Sequence, residues 1–173
     1  MAVKGGVSIE TLRMNSLPER ENHSVSFDRR SDENMSLESV LPSLLEKSLE
    51  RGWRVVVQST SQERADALDA HLWTYRDDSF LPHAIWRAGD GHDQPIVLVA
   101  EEGNPNRANV RFLIDNAALP ADSHGYDRMV LVFNGDDGEA LALARGAWTD
   151  CKARGFEVTY WQADERGRWQ RRE

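Results

Sequence analysis

Short apolar runs alternate along this chain with segments of helical period, and that alternation limits the fold more than any other feature. Residues 53–58 (WRVVVQ), 95–100 (PIVLVA), 111–115 (RFLID) and 129–133 (MVLVF) are nearly continuous in apolar residues. Strands buried on both faces read this way, whereas a strand with one wet face alternates. Between them, Leu37, Val40, Leu41, Leu44, Leu45 and Leu49 recur at the three-and-four spacing of one helix face, with Ser36 as N-cap and Gly52 as terminator. Pro42 falls in the early turns of that helix, where a missing backbone donor costs least. Thr60 followed by Glu63 predicts a capping box for a helix ending near Trp73. A third helix is expected from Glu139 to Arg154, closed by Gly155, before a final alternating strand at 156–161 (FEVTYW). The class is therefore α/β, with three layers (α/β/α) around a mainly parallel central sheet.

The expected domain occupies residues 36–162. Residues 1–35 are polar and show neither period, so they read as an unstructured extension, with one candidate strand at 23–28 where Val25 and Phe27 alternate with serines. Residues 163–173 read as a polar C-terminal tail.

Charge narrows the function. The net charge is −8, which argues against direct grip on nucleic acid, because that requires a concentrated basic face. The distribution is uneven: from Arg145 onward the chain carries seven Lys or Arg against five acids. An acidic partner would approach that end; a solvated polar tail explains the same count. No apolar stretch approaches the roughly 18 residues that cross a bilayer. With no secretory h-region and one cysteine, Cys151, the expected setting is the cytoplasm, free of disulfides and of membrane contact.

The chemistry of catalysis is thin. The turn after Val57 is Gln58-Ser59-Thr60-Ser61 and the turn after Phe133 is Asn134-Gly135-Asp136-Asp137-Gly138. Neither carries a phosphate-cradling glycine motif, and the second places carboxylates where a phosphate would go. The five histidines are scattered, and no cofactor or metal is expected. Cys151 falls on a stripe with Leu141, Ala144 and Trp148 and reads as core. Asp77-Asp78 and Asp136-Asp137 suit turns and caps. An enzyme reading remains: His83, beside Pro82, as a base working with Asp115 or Asp136.

Two surfaces suit protein partners better. Trp73 closes one helix and Ser79-Phe80-Leu81-Pro82-His83 follows closely, so Leu72, Trp73, Phe80, Leu81 and Pro82 form a candidate aromatic patch. Packing of Phe80 against the Trp73 helix accounts for the same residues. Arg145, Trp148 and Lys152 lie three and four apart on the last helix and form either a binding stripe or a solvated edge.

Taken in order, LLEKSLERGWRVVVQ (44–58), HLW (71–73) then SFLPH (79–83), DQPIVL (93–98) and ALARGAWTDCKARGFEVTYW (142–161) resemble the chi subunit of bacterial DNA polymerase III. The resemblance covers roughly three-quarters of the chain, and the order and spacing of the motifs carry it. It implies a mononucleotide-binding-like fold without a nucleotide site. It also implies a non-catalytic accessory subunit of a DNA-directed DNA polymerase (nucleotidyltransferase) complex, acting in DNA replication. In such a subunit one surface docks the psi subunit or another clamp-loader component, here Leu72, Trp73, Phe80, Leu81 and Pro82. A separate surface binds the acidic C-terminal tail of single-stranded-DNA-binding protein, here Arg145, Trp148 and Lys152 with Val158 and Tyr160 from the next strand. DNA is then met only indirectly. Leu141 and Thr149 stand where some relatives carry basic residues.

Overall fold

The computed structural model describes residues 7–13, 36–87, 93–122, 125–163 and 168–172. In chain order its elements are β1 (Val7–Arg13), α1 (Leu37–Glu50), β2 (Val55–Gln58), α2 (Gln62–Thr74), β3 (His83–Ile85), β4 (Ile96–Val99), β5 (Val110–Leu113), β6 (Arg128–Asn134), α3 (Gly138–Ala153), β7 (Glu157–Ala163) and β8 (Trp169–Arg172).

Local chemistry sets the helix ends. Ser36 and Ser39 cap α1 reciprocally: the Ser36 hydroxyl accepts from the Ser39 amide at 3.3 Å, and the Ser39 hydroxyl accepts from the Ser36 amide at 3.0 Å. Gly52 ends the helix at φ +73°, a left-handed conformation that needs no Cβ penalty only in glycine. Pro42 removes the amide that would bond the Glu38 carbonyl, and that carbonyl accepts instead from His71 Nε2 at 2.7 Å, tying α1 to α2. The cap of α2 is Ser61, whose hydroxyl accepts from the Arg64 amide at 3.1 Å, one residue beyond the expected Thr60.

The eight strands form one sheet in the order β3-β4-β2-β5-β6-β1-β7-β8. β3, β4, β2, β5 and β6 are mutually parallel. β1 runs antiparallel to both β6 and β7, and β8 antiparallel to β7. The pleat divides the apolar strands between two layers. Val55, Val57, Ile96, Leu98, Val110 and Phe112 pack with Leu41, Leu45, Leu68 and Leu72 of α1 and α2. Val56, Val97, Val99 and Met129 face the other way, toward Ala108, Tyr126 and Cys151 of α3. The expected three-layer architecture is the one observed.

Three strands are additional to the sequence reading. Val7–Arg13 is a strand inserted between β6 and β7, not part of an unstructured extension. Its VSIETLR sequence has too few apolar residues to announce a strand; pairing along both edges supplies what composition lacks. Residues 14–35, including the candidate strand at 23–28, lie outside the described residues. Trp169–Arg172, expected as tail, extends the sheet as β8. His83–Ile85 adds β3, too short for any periodicity to register.

One buried charge holds the layer of loops above β2 and β5. Arg111 is fully buried, and its guanidinium donates to Gln58 Oε1 from Nε at 3.0 Å and from Nη2 at 2.6 Å. It also donates to the Gly103 and Glu101 carbonyls at 2.7 and 3.2 Å and to the Tyr126 hydroxyl at 2.7 Å. The planar fork of five donors is thus matched with oxygen acceptors, which makes burial of the charge tolerable. Arg111→Met, which keeps the bulk and deletes the donors, is expected to cost about 3 kcal/mol through stranded acceptors. The midpoint of urea unfolding measures it, and an unchanged midpoint would contradict this account.

Candidate functional site

Helix α3 is built to lie close on the sheet. Asp137 caps it, its carboxylate accepting from the Glu139 and Ala140 amides at 2.9 and 3.3 Å. Ala140, Ala144 and Cys151 are its buried residues, small enough to bring the helix down on β6, β1 and β7. Leu141 and Trp148, expected on that buried stripe, are only half-buried and border it.

Along that border lie the helix residues expected to take an acidic tail. Arg145 and Lys152 are exposed on one flank of α3, and the Lys152 ammonium stands 3.9 Å from the centre of the Trp148 ring, a cation–π contact. Tyr160 of β7 stacks on Phe133 at 6.3 Å and an interplanar angle of 23°, within the cluster formed by Ala140, Ala144 and Leu141. Val158 is half-buried against the Cys151 cluster, on the same face of β7 as Tyr160. All five sequence-derived residues therefore belong to the helix flank turned to β7 and to the strand beneath it. The opposite flank of α3, with Leu143, Ala147, Asp150 and Arg154, lines a cavity of about 330 Å³ beside Leu113, Ala117 and Leu119. Nothing in the sequence pattern announced that cavity, because its walls come from separate segments.

At the far edge of the sheet the aromatic patch divides. Trp73 and Phe80 are 55% and 68% exposed, with ring centres 5.8 Å apart. Leu72 and Leu81, by contrast, are core residues at 2% exposure, and Pro82 is half-buried. A helix C-terminus turning into an edge strand must bury alternate apolar residues, so Leu72 and Leu81 support the patch from beneath instead of lining it. The intervening turn is tied down by Glu46, whose Oε1 accepts from the Tyr75 and Ser79 hydroxyls, both at 2.6 Å, and from Arg76 Nη2 at 3.1 Å.

His83 packs under the patch, its ring 4.9 Å from that of Trp73. Its Nδ1 donates to the Leu81 carbonyl at 2.6 Å. Nε2 lies 3.3 Å from Asp69 Oδ1 but outside hydrogen-bond alignment, so it is close to a carboxylate without being bonded to it. The enzyme reading is not assembled: His83 opens β3 in register with the amino ends of β4, β2 and β5, whereas Asp115 and Asp136 follow the carboxyl ends of β5 and β6. Asp115 instead accepts from Arg64 Nε at 2.6 Å, and Glu38 accepts from Arg64 Nη2 at 2.5 Å. Hydrogen bonds to Asp115 outweigh burial and raise the Arg64 guanidinium above its ordinary value.

With both surfaces placed, the comparisons with known proteins are decisive. The family model of the DNA polymerase III chi subunit, HolC, matches residues 24–159. The chain belongs to the chi subunit family. A relative named "Probable DNA polymerase III subunit chi", from Rickettsia prowazekii (strain Madrid E), is 32% identical over 71 residues, 41% of this chain. The matched stretch is 43% of the relative's length, so the chain spans under half of it. The chi family match includes α1 through α3 and enters β7, and leaves out β1 and β8.

The Glu46 knot carries a pH dependence. Burial pushes its carboxyl up, but the hydroxyls of Ser79 and Tyr75 and the Arg76 cation outweigh burial and hold it below the ordinary 4.5. Its contribution to stability is therefore fully present above pH 4.5 and is lost as pH falls through the lowered folded-state value. Glu46→Gln is expected to cost about 1 kcal/mol at neutral pH and to flatten the acid limb of the stability curve. Urea denaturation from neutral pH to below 4.5 checks both.

Proposed function

We propose that this chain is a non-catalytic accessory subunit of the DNA polymerase III holoenzyme, acting in the cytoplasm during DNA replication, and that it links the clamp-loader complex to single-stranded-DNA-binding protein. The acidic C-terminal tail of that protein is taken by Arg145, Trp148, Lys152, Val158 and Tyr160. The observation carrying this reading is the pairing of two exposed cations with half-buried rings on one flank of α3, in a chain of the chi family. A peptide ending in aspartates and an aromatic needs a guanidinium for its carboxylates and an apolar bed for its ring. Contact with DNA is then indirect, consistent with a net charge of −8.

Trp73 and Phe80, with Pro82 beside them, serve the replicase side, toward psi or another clamp-loader component. Large exposed aromatics at a sheet edge are favoured interface anchors, and the buried Leu72 and Leu81 hold them in place.

Arg145→Ala is expected to weaken binding of an acidic, phenylalanine-ended peptide on the order of tenfold, as for one charged hydrogen bond, with the unfolding midpoint unchanged. Fluorescence polarisation measures it; equal affinity in the variant would remove the proposed site. Trp73→Ala combined with Phe80→Ala should abolish co-purification with clamp-loader components while leaving the peptide titration intact. Retained co-purification would assign the patch to another partner.

A further inference from the structure

The two flanks of α3 differ in charge. Arg145 and Lys152 stand on the flank turned to β7, whereas the other flank presents Glu139, Leu143 and Asp150, all exposed and spaced by four and seven residues along one lip of the helix. Below that lip lies the cavity of about 330 Å³, with Leu131 and Phe133 of β6 as floor and Leu119 as far wall. Topology accounts for the space. β5 and β6 are parallel, and parallel neighbours are usually joined through a helix that packs on the sheet. Residues 114–127 make this connection with no helix among their described members. Leu119 and Tyr126 of that connection pack in the layer of Cys151, so it runs on the α3 face of the sheet. The place beside α3 that a crossover helix would fill is therefore left as a groove. Small residues of α3, Ala140, Ala144 and Ala147, deepen it from the helix side, and Leu143 at the lip is 52% exposed.

We propose that this groove receives a basic amphipathic helix of a partner protein, its apolar stripe set over the cavity and its Lys or Arg residues against Glu139 and Asp150. Charge complementarity selects that occupant: the lip offers two carboxylates on either side of an exposed leucine, in a chain of net charge −8. The cavity takes side chains from a helix lying along it, not the helix body, as in other helix-in-groove docking. Arg154 lines the end of the groove at the last turn of α3 and suits the carbonyl end of the incoming helix. An acidic peptide meets like charge here, so the two flanks of α3 sort their partners by sign. The groove is separate from the residues assigned to the acidic tail and from the Trp73 patch, and its reading stands without either.

Two synthetic helical peptides with the same leucine stripe test it against the full chain, one carrying lysines and the other glutamates at the remaining positions. The lysine peptide should bind about tenfold tighter than the glutamate peptide at low salt, and the difference should shrink as salt rises. Asp150→Lys should weaken the lysine peptide about three- to fivefold, as reversal of one exposed charge allows. Ala147→Trp, which fills the cavity, and Leu143→Ser, which strips the lip, should each weaken it on the order of tenfold. All three variants should keep the affinity for the acidic, phenylalanine-ended peptide, which also verifies that α3 is still folded on the sheet. If the lysine peptide binds and neither Ala147→Trp nor Leu143→Ser weakens it, the attraction is that of a net-negative surface and the groove is refuted. Equal binding of the two peptides, or binding of neither, refutes it as well. Should Ala147→Trp fail to fold, Leu143→Ser decides.

Discussion

A guanidinium sealed inside the protein is the constraint on which the carboxyl side of the sheet depends. Arg111 rises from β5, inside the parallel part of the sheet, and gathers Gln58 from β2, the carbonyls of Glu101 and Gly103 after β4, and Tyr126 before β6. Arg111 is in register with Val56 and Met129, so these segments are fastened over the face of the sheet that packs with Tyr126 and Cys151. The same region holds the Arg64 pairs with Asp115 and Glu38, which join the end of β5 to both α1 and α2. Buried charge matched by fixed dipoles ties these segments together, since any loop that shifts strands a donor. The surfaces proposed for partners lie elsewhere, on the flank of α3 and at the β3 edge.

Much of this was legible in the residues. The four apolar runs and the leucine stripe of α1 dictated the layers, because strands buried on both faces are mostly apolar. The flank of α3 was legible for the same reason in reverse: Arg145 and Lys152 fall off the small-residue stripe and so must face outward. Leu72 and Leu81 were harder. An apolar residue beside an exposed aromatic gives no sign of which one the core takes until the helix end and edge strand are placed together.

Arg111, β1 and β8 exceeded local reading for a different reason. An arginine within RFLID looks like an edge residue until its acceptors, contributed by three distant segments, are known. Val7–Arg13 and Trp169–Arg172 draw their strand character from neighbours far away in sequence, and such pairing leaves little trace in the strand itself. The family match stops short of both.

The placement of β1 carries a consequence for assembly. All seven of its residues pair with β6 on one side and six of them, Ser8–Arg13, with β7 on the other, so the first of the described strands has no place in the sheet until the last third of the polypeptide exists. Closure is therefore a long-range event, slow by the topology rule and late during synthesis. Until it occurs, the nascent protein exposes two unsatisfied strand edges, and the interval between translation and closure is when it is most exposed to aggregation and most in need of a chaperone.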